Sequence, residues 1–193
     1  MVANDCSSCI GSRDTSNFQC GWCESSSSCR IDELCQDSSP VNTMGGRCPG
    51  PVITNISPSS GPPSGGTTIT ITGTDLGVTF DDFSAPNSII VSGVLCTPIS
   101  MDYIPGKRIL CETGGGMSVG SRLLVISLAR DDTNIPLTNT PFDVVLPSVV
   151  SVNPVFGPIA GGSNLTIMGT GLDIGNSARV TLNGSTGPEC EVM

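Results

Sequence analysis

Hydrophobic and polar residues alternate with a period of two along much of this chain, which predicts β-strands. In the segment 67–72, Ile69 and Ile71 fall on one side of a strand, and Thr68, Thr70 and Thr72 fall on the other. The same reasoning predicts strands over 52–53, 88–91, 108–111, 122–128, 141–146, 149–150 and 164–168. No stretch of ten residues has a helical periodicity. We therefore expect an all-β fold whose core contains Ile69, Ile71, Val91, Leu110, Leu124 and Ile126.

An internal repeat organises the chain after the first 50 residues. The segment 53–77 recurs 96 residues later as 149–175, with matching prolines, glycines and strand residues. Pro58, Gly61, Pro62, Gly65, Gly66, Gly73 and Leu76 match Pro154, Gly157, Pro158, Gly161, Gly162, Gly169 and Leu172. This period is too long for a solenoid unit and is typical of tandem immunoglobulin-like β-sandwiches.

The repeat divides the chain into three parts. Residues 1–49 form a cysteine-rich module, 50–146 a first sandwich and 147–193 a second copy of the repeat. The second copy has half the span of the first, which predicts that this sandwich is truncated and leaves an open sheet edge. The start Met1–Asp5 is neither basic nor apolar, as a signal peptide would be, so we expect a piece of a longer protein.

Cysteine spacing favours disulfides in the cysteine-rich module. Seven of the ten cysteines lie between Cys6 and Cys48, a window too small to be stabilised by a hydrophobic core alone. The alternative is a four-thiolate zinc site formed by the two C-x-x-C pairs at 6–9 and 20–23, but the gap between them is short and three further cysteines are close. A redox C-x-x-C enzyme is disfavoured because no βαβ pattern surrounds either pair.

Composition excludes several function classes. The net charge of −9 argues against binding to a phosphate backbone, and the absence of His removes the commonest general base. The longest strongly apolar run, 123–129, is far shorter than the roughly 20 residues of a membrane helix. The pairs Asp81-Asp82 and Asp131-Asp132 could bind Ca²⁺ between sandwiches, but turn solvation is the favoured interpretation. We expect no catalytic residue, cofactor or metal.

Three N-x-S/T sequons are candidate glycosylation sites: Asn55, Asn164 and Asn183. Asn164 and Thr166 lie on the outward side if Leu165 points inward, and Asn183-Gly184 is typical of a hairpin tip. Asn55 is the weakest candidate because Pro58 directly follows its serine.

Two sequence motifs together resemble plexin ectodomains. The seven spaced cysteines, with Cys-Gly-Trp-Cys at 20–23, look like a PSI (plexin–semaphorin–integrin) module. The repeated Gly-Pro-x-x-Gly-Gly-x-x-x-Thr-Ile-x-Gly-x-x-Leu pattern resembles IPT/TIG domains, and Cys96 and Cys111 are similar to the cysteine pair of that domain. Ser12-Arg13-Asp14 and Tyr103-Ile104-Pro105 are plexin-like in particular. Two IPT copies after one PSI resemble the third PSI, the third IPT and the start of the fourth IPT of a plexin.

The resemblance implies a disulfide pattern. PSI modules have eight cysteines, pairing first with fourth, second with eighth, third with sixth and fifth with seventh, whereas this window has seven. If the first is missing, the implied pairs are Cys6–Cys48, Cys9–Cys29 and Cys23–Cys35, with Cys96–Cys111 in the first sandwich. Cys20 then has no partner in this chain, either because its partner precedes Met1 or because this module never had one. Cys190 holds a place similar to that of Cys96, so its partner is expected beyond Met193.

The function that the resemblance implies is that of a receptor stalk. The chain would be a non-catalytic extracellular segment of a single-pass receptor at the cell surface, spacing and orienting a semaphorin-binding domain that lies outside it. Its partners would be neighbouring domains of the same receptor, with self-association of receptors, and neither nucleic acid nor membrane would contact this segment. The alternatives are an ectodomain fragment of a scatter-factor-receptor-like tyrosine kinase and, in a different class, a TIG-domain DNA-binding protein, which the charge and the disulfides oppose.

Overall fold

The computed structural model describes residues 4–11, 20–31, 48–129, 135–136, 141–176, 178–182 and 189–190. Within them lie one short helix, α1 (Cys6–Gly11), and a 3-10 turn (Phe80–Phe83). The strands are β1 (Cys20–Cys23), β2 (Ser28–Ile31), β3 (Val52–Ser57), β4 (Ser60–Gly61), β5 (Thr68–Thr74), β6 (Ile89–Val91), β7 (Val94–Ile104), β8 (Arg108–Thr113), β9 (Gly120–Arg122), β10 (Leu124–Ile126), β11 (Ile135–Pro136), β12 (Phe142–Val144), β13 (Ser148–Asn153), β14 (Thr166–Thr170), β15 (Val180–Thr181) and β16 (Glu189–Cys190). The predicted all-β class is confirmed. None of the described helices has the length and hydropathy needed to span a bilayer.

Two sheets form the first sandwich. One has seven strands in the order β11-β10-β6-β7-β8-β5-β3, and the other has three in the order β4-β12-β9. Their inner faces share one core, in which Ile69 and Ile71 of β5 and Phe142 of β12 are fully buried. Val91, Leu124 and Ile126 belong to the same core, as the sequence predicts.

The prediction that Leu110 is a core residue is wrong by one position. In the antiparallel pair of β5 and β8, Ile69 faces Cys111 and Ile71 faces Ile109, whereas Leu110 faces Thr70. Residues opposite each other across a ladder point to the same side of the sheet, so Leu110 shares the outward side with Thr70 and is half-buried. A one-residue change of register moves every side chain of a strand to the other face.

The segment 122–128, predicted as one strand, belongs to two sheets. Its start is in β9, which pairs with β12, and its middle is β10, which pairs with β6. Between them lies Leu123, which is half exposed. The longest strand, β7, is absent from the predicted set because Pro98 and several polar residues interrupt its alternation. Gly93 directly precedes this strand and Pro105-Gly106 directly follows it.

The two copies of the repeat fold alike where both are described. The β3–β5 ladder has an irregularity between Ile53 and Asn55, and the β13–β14 ladder has one 96 residues later, between Val149 and Ser151. A Cβ on Gly73 would lie 2.0 Å from the facing backbone oxygen of β3, and one on Gly169 would lie 2.0 Å from that of β13. No side chain fits at either position, which explains why both copies have glycine there.

The two copies of the repeat differ in how deeply their equivalent residues are buried. Ile53 is 6% exposed in the first sandwich, but its counterpart Val149 is 59% exposed. Leu165 and Ile167 are half-buried and their neighbours 164, 166 and 168 are exposed, so the alternation predicted for this strand is present. Because Leu165 and Ile167 are only half-buried, the inward face of this strand packs against fewer side chains than the inward face of β5 does.

Candidate functional site

Two disulfides fix helix α1 to the rest of the cysteine-rich module. Cys6 is bonded to Cys48 and Cys9 to Cys29, each with Cα atoms 5.5 Å apart. Both pairs are those that the PSI resemblance implies. Because both bonded cysteines of α1 lie on a helix of six residues, the bridges rather than intrinsic helix propensity hold this helix in place.

The remaining cysteines of the module are described in part. Cys23 is disulfide-bonded, but its expected partner Cys35 lies outside the described residues. The side chain of Cys20 lies outside them as well. The alternative of a four-thiolate zinc site is wrong for this fold, since Cys6, Cys9 and Cys23 are in disulfides and have no thiolate to offer a metal.

The cysteine-rich module contacts the first sandwich through the start of α1. We call this contact the module interface; it consists of Asp5, Ser7 and Ser8 on one side and Asp75 and Pro105 on the other. The Ser7 amide donates to Asp75 Oδ1 (2.9 Å), and the Ser8 amide donates to Asp5 Oδ1 (2.8 Å). The first amides of a helix have no partner within the helix, so one carboxylate from each module satisfies them.

The backbone at Asp75 indicates why an aspartate is unusual there. Asp75 has a φ of 55°, in the left-handed region, and its counterpart in the second copy is Gly171 with a φ of 64°. Glycine adopts this conformation without steric cost, whereas a residue with a Cβ is disfavoured by about 1–2 kcal/mol. The first sandwich therefore has a strained residue at the loop position whose side chain bonds to an amide of α1.

Burial controls the ionisation of Asp75. Desolvation raises the pKa of the Asp75 carboxyl above its ordinary value of 3.8, and the negative charge of Asp5 raises it further. Hydrogen bonds from Ser7 and from the Cys6 backbone lower the pKa but do not outweigh burial. Asp5 and Asp75 are 4% and 7% exposed.

Close packing surrounds these polar contacts. Val78 of the first sandwich is buried in a cluster with Cys6, Cys9, Ile10 and Trp22 of the cysteine-rich module. Gly106 approaches so closely that a Cβ there would lie 2.4 Å from Asp5 Oδ1 and 2.5 Å from the Ser8 nitrogen. The module interface thus combines directional hydrogen bonds with an apolar patch that excludes water.

A second contact joins the first sandwich to the second copy. We call it the inter-copy interface. Asn176 accepts a hydrogen bond from the Thr68 amide and donates to the Thr68 carbonyl oxygen (3.1 Å). The β3–β5 ladder ends with Ser57 opposite Thr70, so Asn176 bonds to the backbone of β5 two residues beyond the end of this ladder. The neighbouring Gly175 has a φ of 80° and packs against Thr67.

The other residues that the sequence predicted are placed as follows. Cys96 and Cys111 are bonded across β7 and β8, fully buried, with Cα atoms 5.4 Å apart. Cys190 has no disulfide partner among the described residues. Asn55 and Asn164 are exposed, and Asn183 lies outside the described residues.

The acidic pairs do not form a described cation site. The Asp82 carboxylate accepts hydrogen bonds from the amides of Val78 (2.7 Å) and Thr79 (3.1 Å) and so holds the 3-10 turn. Asp131-Asp132 lies outside the described residues. Sequence reasoning missed Asp75 and Asn176, the residues that bridge the modules; the one available signal was that Asp75 replaces a glycine of the repeat.

The comparisons with known proteins agree with this architecture. The IPT/TIG domain family model matches residues 51–144 and 147–191. The chain is 36% identical to plexin-A2 of Homo sapiens over 176 residues, 88% of this chain and 9% of that protein. It is 33% identical to plexin A3 of Danio rerio over 187 residues, 93% of this chain and 10% of that protein.

A solved structure has the same fold. The extracellular region of plexin A4, with domains 1 to 8, superimposes with a TM-score of 0.71 at 31% identity, covering 90% of this chain and 18% of that one. This chain therefore spans about a tenth of the length of the plexins it matches. It belongs to the IPT/TIG domain family, in the arrangement of a plexin ectodomain segment.

Proposed function

We propose that this chain is an extracellular stalk segment of a plexin-type semaphorin receptor, and that it spaces and orients the ligand-binding domain. The similarity to plexin ectodomains supports the receptor class. The disulfides support an oxidising, extracellular location. A non-catalytic role fits a sequence without His.

One observation above all supports the orienting role: both the module interface and the inter-copy interface contain hydrogen bonds. Interfaces between domains are by default small and permit relative motion. Here Asp75 binds an amide of α1, and Asn176 binds both backbone groups of Thr68. Directional bonds across both interfaces restrict rotation of each module relative to the next.

We propose the division into a PSI module (1–49), a first IPT/TIG domain (50–146) and the N-terminal half of a second (147–193). The family-model matches at 51–144 and 147–191 support the last two boundaries. The proposed partners are the neighbouring domains of the same receptor, a semaphorin bound through a domain outside this chain, and a second receptor molecule. The matched relatives are plexins, which favours this class over scatter-factor receptors.

The test uses the complete receptor at the cell surface. Asn176→Ala removes the inter-copy hydrogen bonds; we expect unchanged semaphorin affinity but weaker semaphorin-triggered signalling, because ligand binds elsewhere and only the orientation of the stalk changes. Asp173→Ala, an exposed residue of the same loop, is the matched control and should behave as wild type. Signalling that is unaffected by Asn176→Ala would contradict the orienting role, and loss of ligand affinity would contradict the assignment of ligand binding to another domain.

We also propose N-glycosylation of the sequons. Asn55 and Asn164 have exposed side chains, as do Ser57 and Thr166 two residues later, so the fold has room for a glycan at both sites. Asn183 remains a proposal from sequence. Peptide mass spectrometry after enzymatic deglycosylation in heavy-oxygen water tests each site, because a glycosylated Asn is converted to labelled Asp; an unlabelled Asn164 peptide from secreted protein would contradict this site.

A further inference from the structure

Two buried carboxyl groups meet at the start of helix α1, where the modules touch. We propose that Asp75, buried next to Asp5, binds a proton at this contact and so strengthens the module interface in mildly acidic solution. The pair lies between two modules of the chain, so this response is independent of what the receptor binds.

The two carboxyl groups accept hydrogen bonds from consecutive backbone amides of helix α1. Asp5 Oδ1 accepts the Ser8 amide (2.8 Å) and Asp75 Oδ1 accepts the Ser7 amide (2.9 Å). Asp5 belongs to the cysteine-rich module and Asp75 to the first sandwich, so the contact itself brings two negative charges together. In the described part of the chain the ion pair is Arg108–Asp102, and no cation pairs with Asp5 or Asp75.

The Ser8 hydroxyl adds a further contact between the two modules. Its oxygen lies 2.7 Å from Asp5 Oδ2 and 3.0 Å from the Pro105 carbonyl oxygen. The hydroxyl therefore joins Asp5 of the cysteine-rich module to Pro105 of the first sandwich and holds the Asp5 carboxyl at the interface.

The direction of the pH effect follows from the burial of Asp75. Burial, and then the Asp5 charge, raise the pKa of Asp75 while the modules are in contact; separation returns the group to water and to its ordinary value of 3.8. Between these two pKa values, the associated form binds more protons than the separated form. Lowering the pH through this window therefore favours association, about tenfold for each unit by which the pKa is raised.

This pH response is specific to the end of the first sandwich that contacts the cysteine-rich module. The equivalent loop position in the second copy is Gly171, which has no carboxyl group, and the residue that bonds across the inter-copy interface is the neutral Asn176. Only the module interface should therefore respond through this mechanism.

The test follows Trp22, the single tryptophan of the chain. Trp22 is buried in the cluster that includes Val78 across the interface, so acrylamide quenching of its fluorescence reports separation. Using the whole chain, we measure the urea concentration at which Trp22 becomes accessible at about pH 7 and at about pH 4.5. Acidification should raise this midpoint in wild type and in Asp81→Asn, an exposed control, but by clearly less in Asp75→Asn.

A second variant and a direct titration complete the test. Asp75→Gly installs the residue of the second copy and keeps the backbone conformation; its midpoint should be low at both pH values. Carboxyl ¹³C NMR of the folded chain should show Asp75 titrating above its ordinary pKa. Parallel pH profiles in wild type and Asp75→Asn, or titration of Asp75 at or below 3.8, would overturn the proposal.

Discussion

Removing the disulfide of the first sandwich should lower its stability mainly through the unfolded state. Cys96 and Cys111 close a loop with a sequence separation of 15, and both are fully buried between β7 and β8. Loop-closure entropy predicts a loss of about 3 kcal/mol for a loop of this length when both are replaced by alanine. Strand β8 pairs with β7 at five positions and with β5 at another five, so we expect the folded structure to persist.

The assay uses urea unfolding monitored at Tyr103, the single tyrosine of the chain. Its ring lies 5.9 Å from that of Phe80 and 6.0 Å from that of Phe83, so its near-ultraviolet circular dichroism reports the packed sandwich. A loss of about 3 kcal/mol should lower the urea midpoint by roughly 1–3 M. The single replacement Cys96→Ala is the control, since it breaks the same bridge, keeps the Cys111 side chain and leaves the disulfides of the cysteine-rich module intact.

Two results would refute this reasoning. A midpoint lowered by less than about 0.3 M would show that the bridge contributes little beyond the strand pairing that already closes the loop. Loss of the tyrosine signal without urea would show that the disulfide is needed to form the native sandwich, and not only to restrict the unfolded chain.

Three further predictions concern the copies and the cysteines. Ile71→Ala should destabilise the first sandwich by about 2–5 kcal/mol, whereas Ile167→Ala, at the same place in the half-buried second copy, should have less than half that effect on thermal unfolding. Gly73→Ala should prevent normal pairing of β3 with β5, seen as faster hydrogen exchange of their amides, because a Cβ would overlap a backbone oxygen. Thiol titration of the folded chain should find Cys20 and Cys190, and Cys190→Ser should remove one equivalent; zero thiols in a monomer would contradict the proposed pairing.

The sequence by itself determined the class of fold and the repeat. Alternation at 67–72 placed Ile69 and Ile71 in the core, and the repeated prolines and glycines identified two copies of one sandwich unit. These features are local, because the period of a strand and the backbone freedom of glycine depend on neighbouring residues only. The cysteine spacing indicated disulfides, and their pairing came from family resemblance.

Only the tertiary structure decided the register and the contacts between modules. Leu110 is outward because β8 pairs with β5 in a particular register, which alternation within a single strand cannot specify. Asp75 bonds to a helix 68 positions away in sequence, and Asn176 bonds to a strand residue 108 positions away. An exposed-looking aspartate or asparagine in a loop has the same local pattern whether it faces water or another module. Its role is set by which surface the fold brings opposite it, and that depends on the packing of the whole chain.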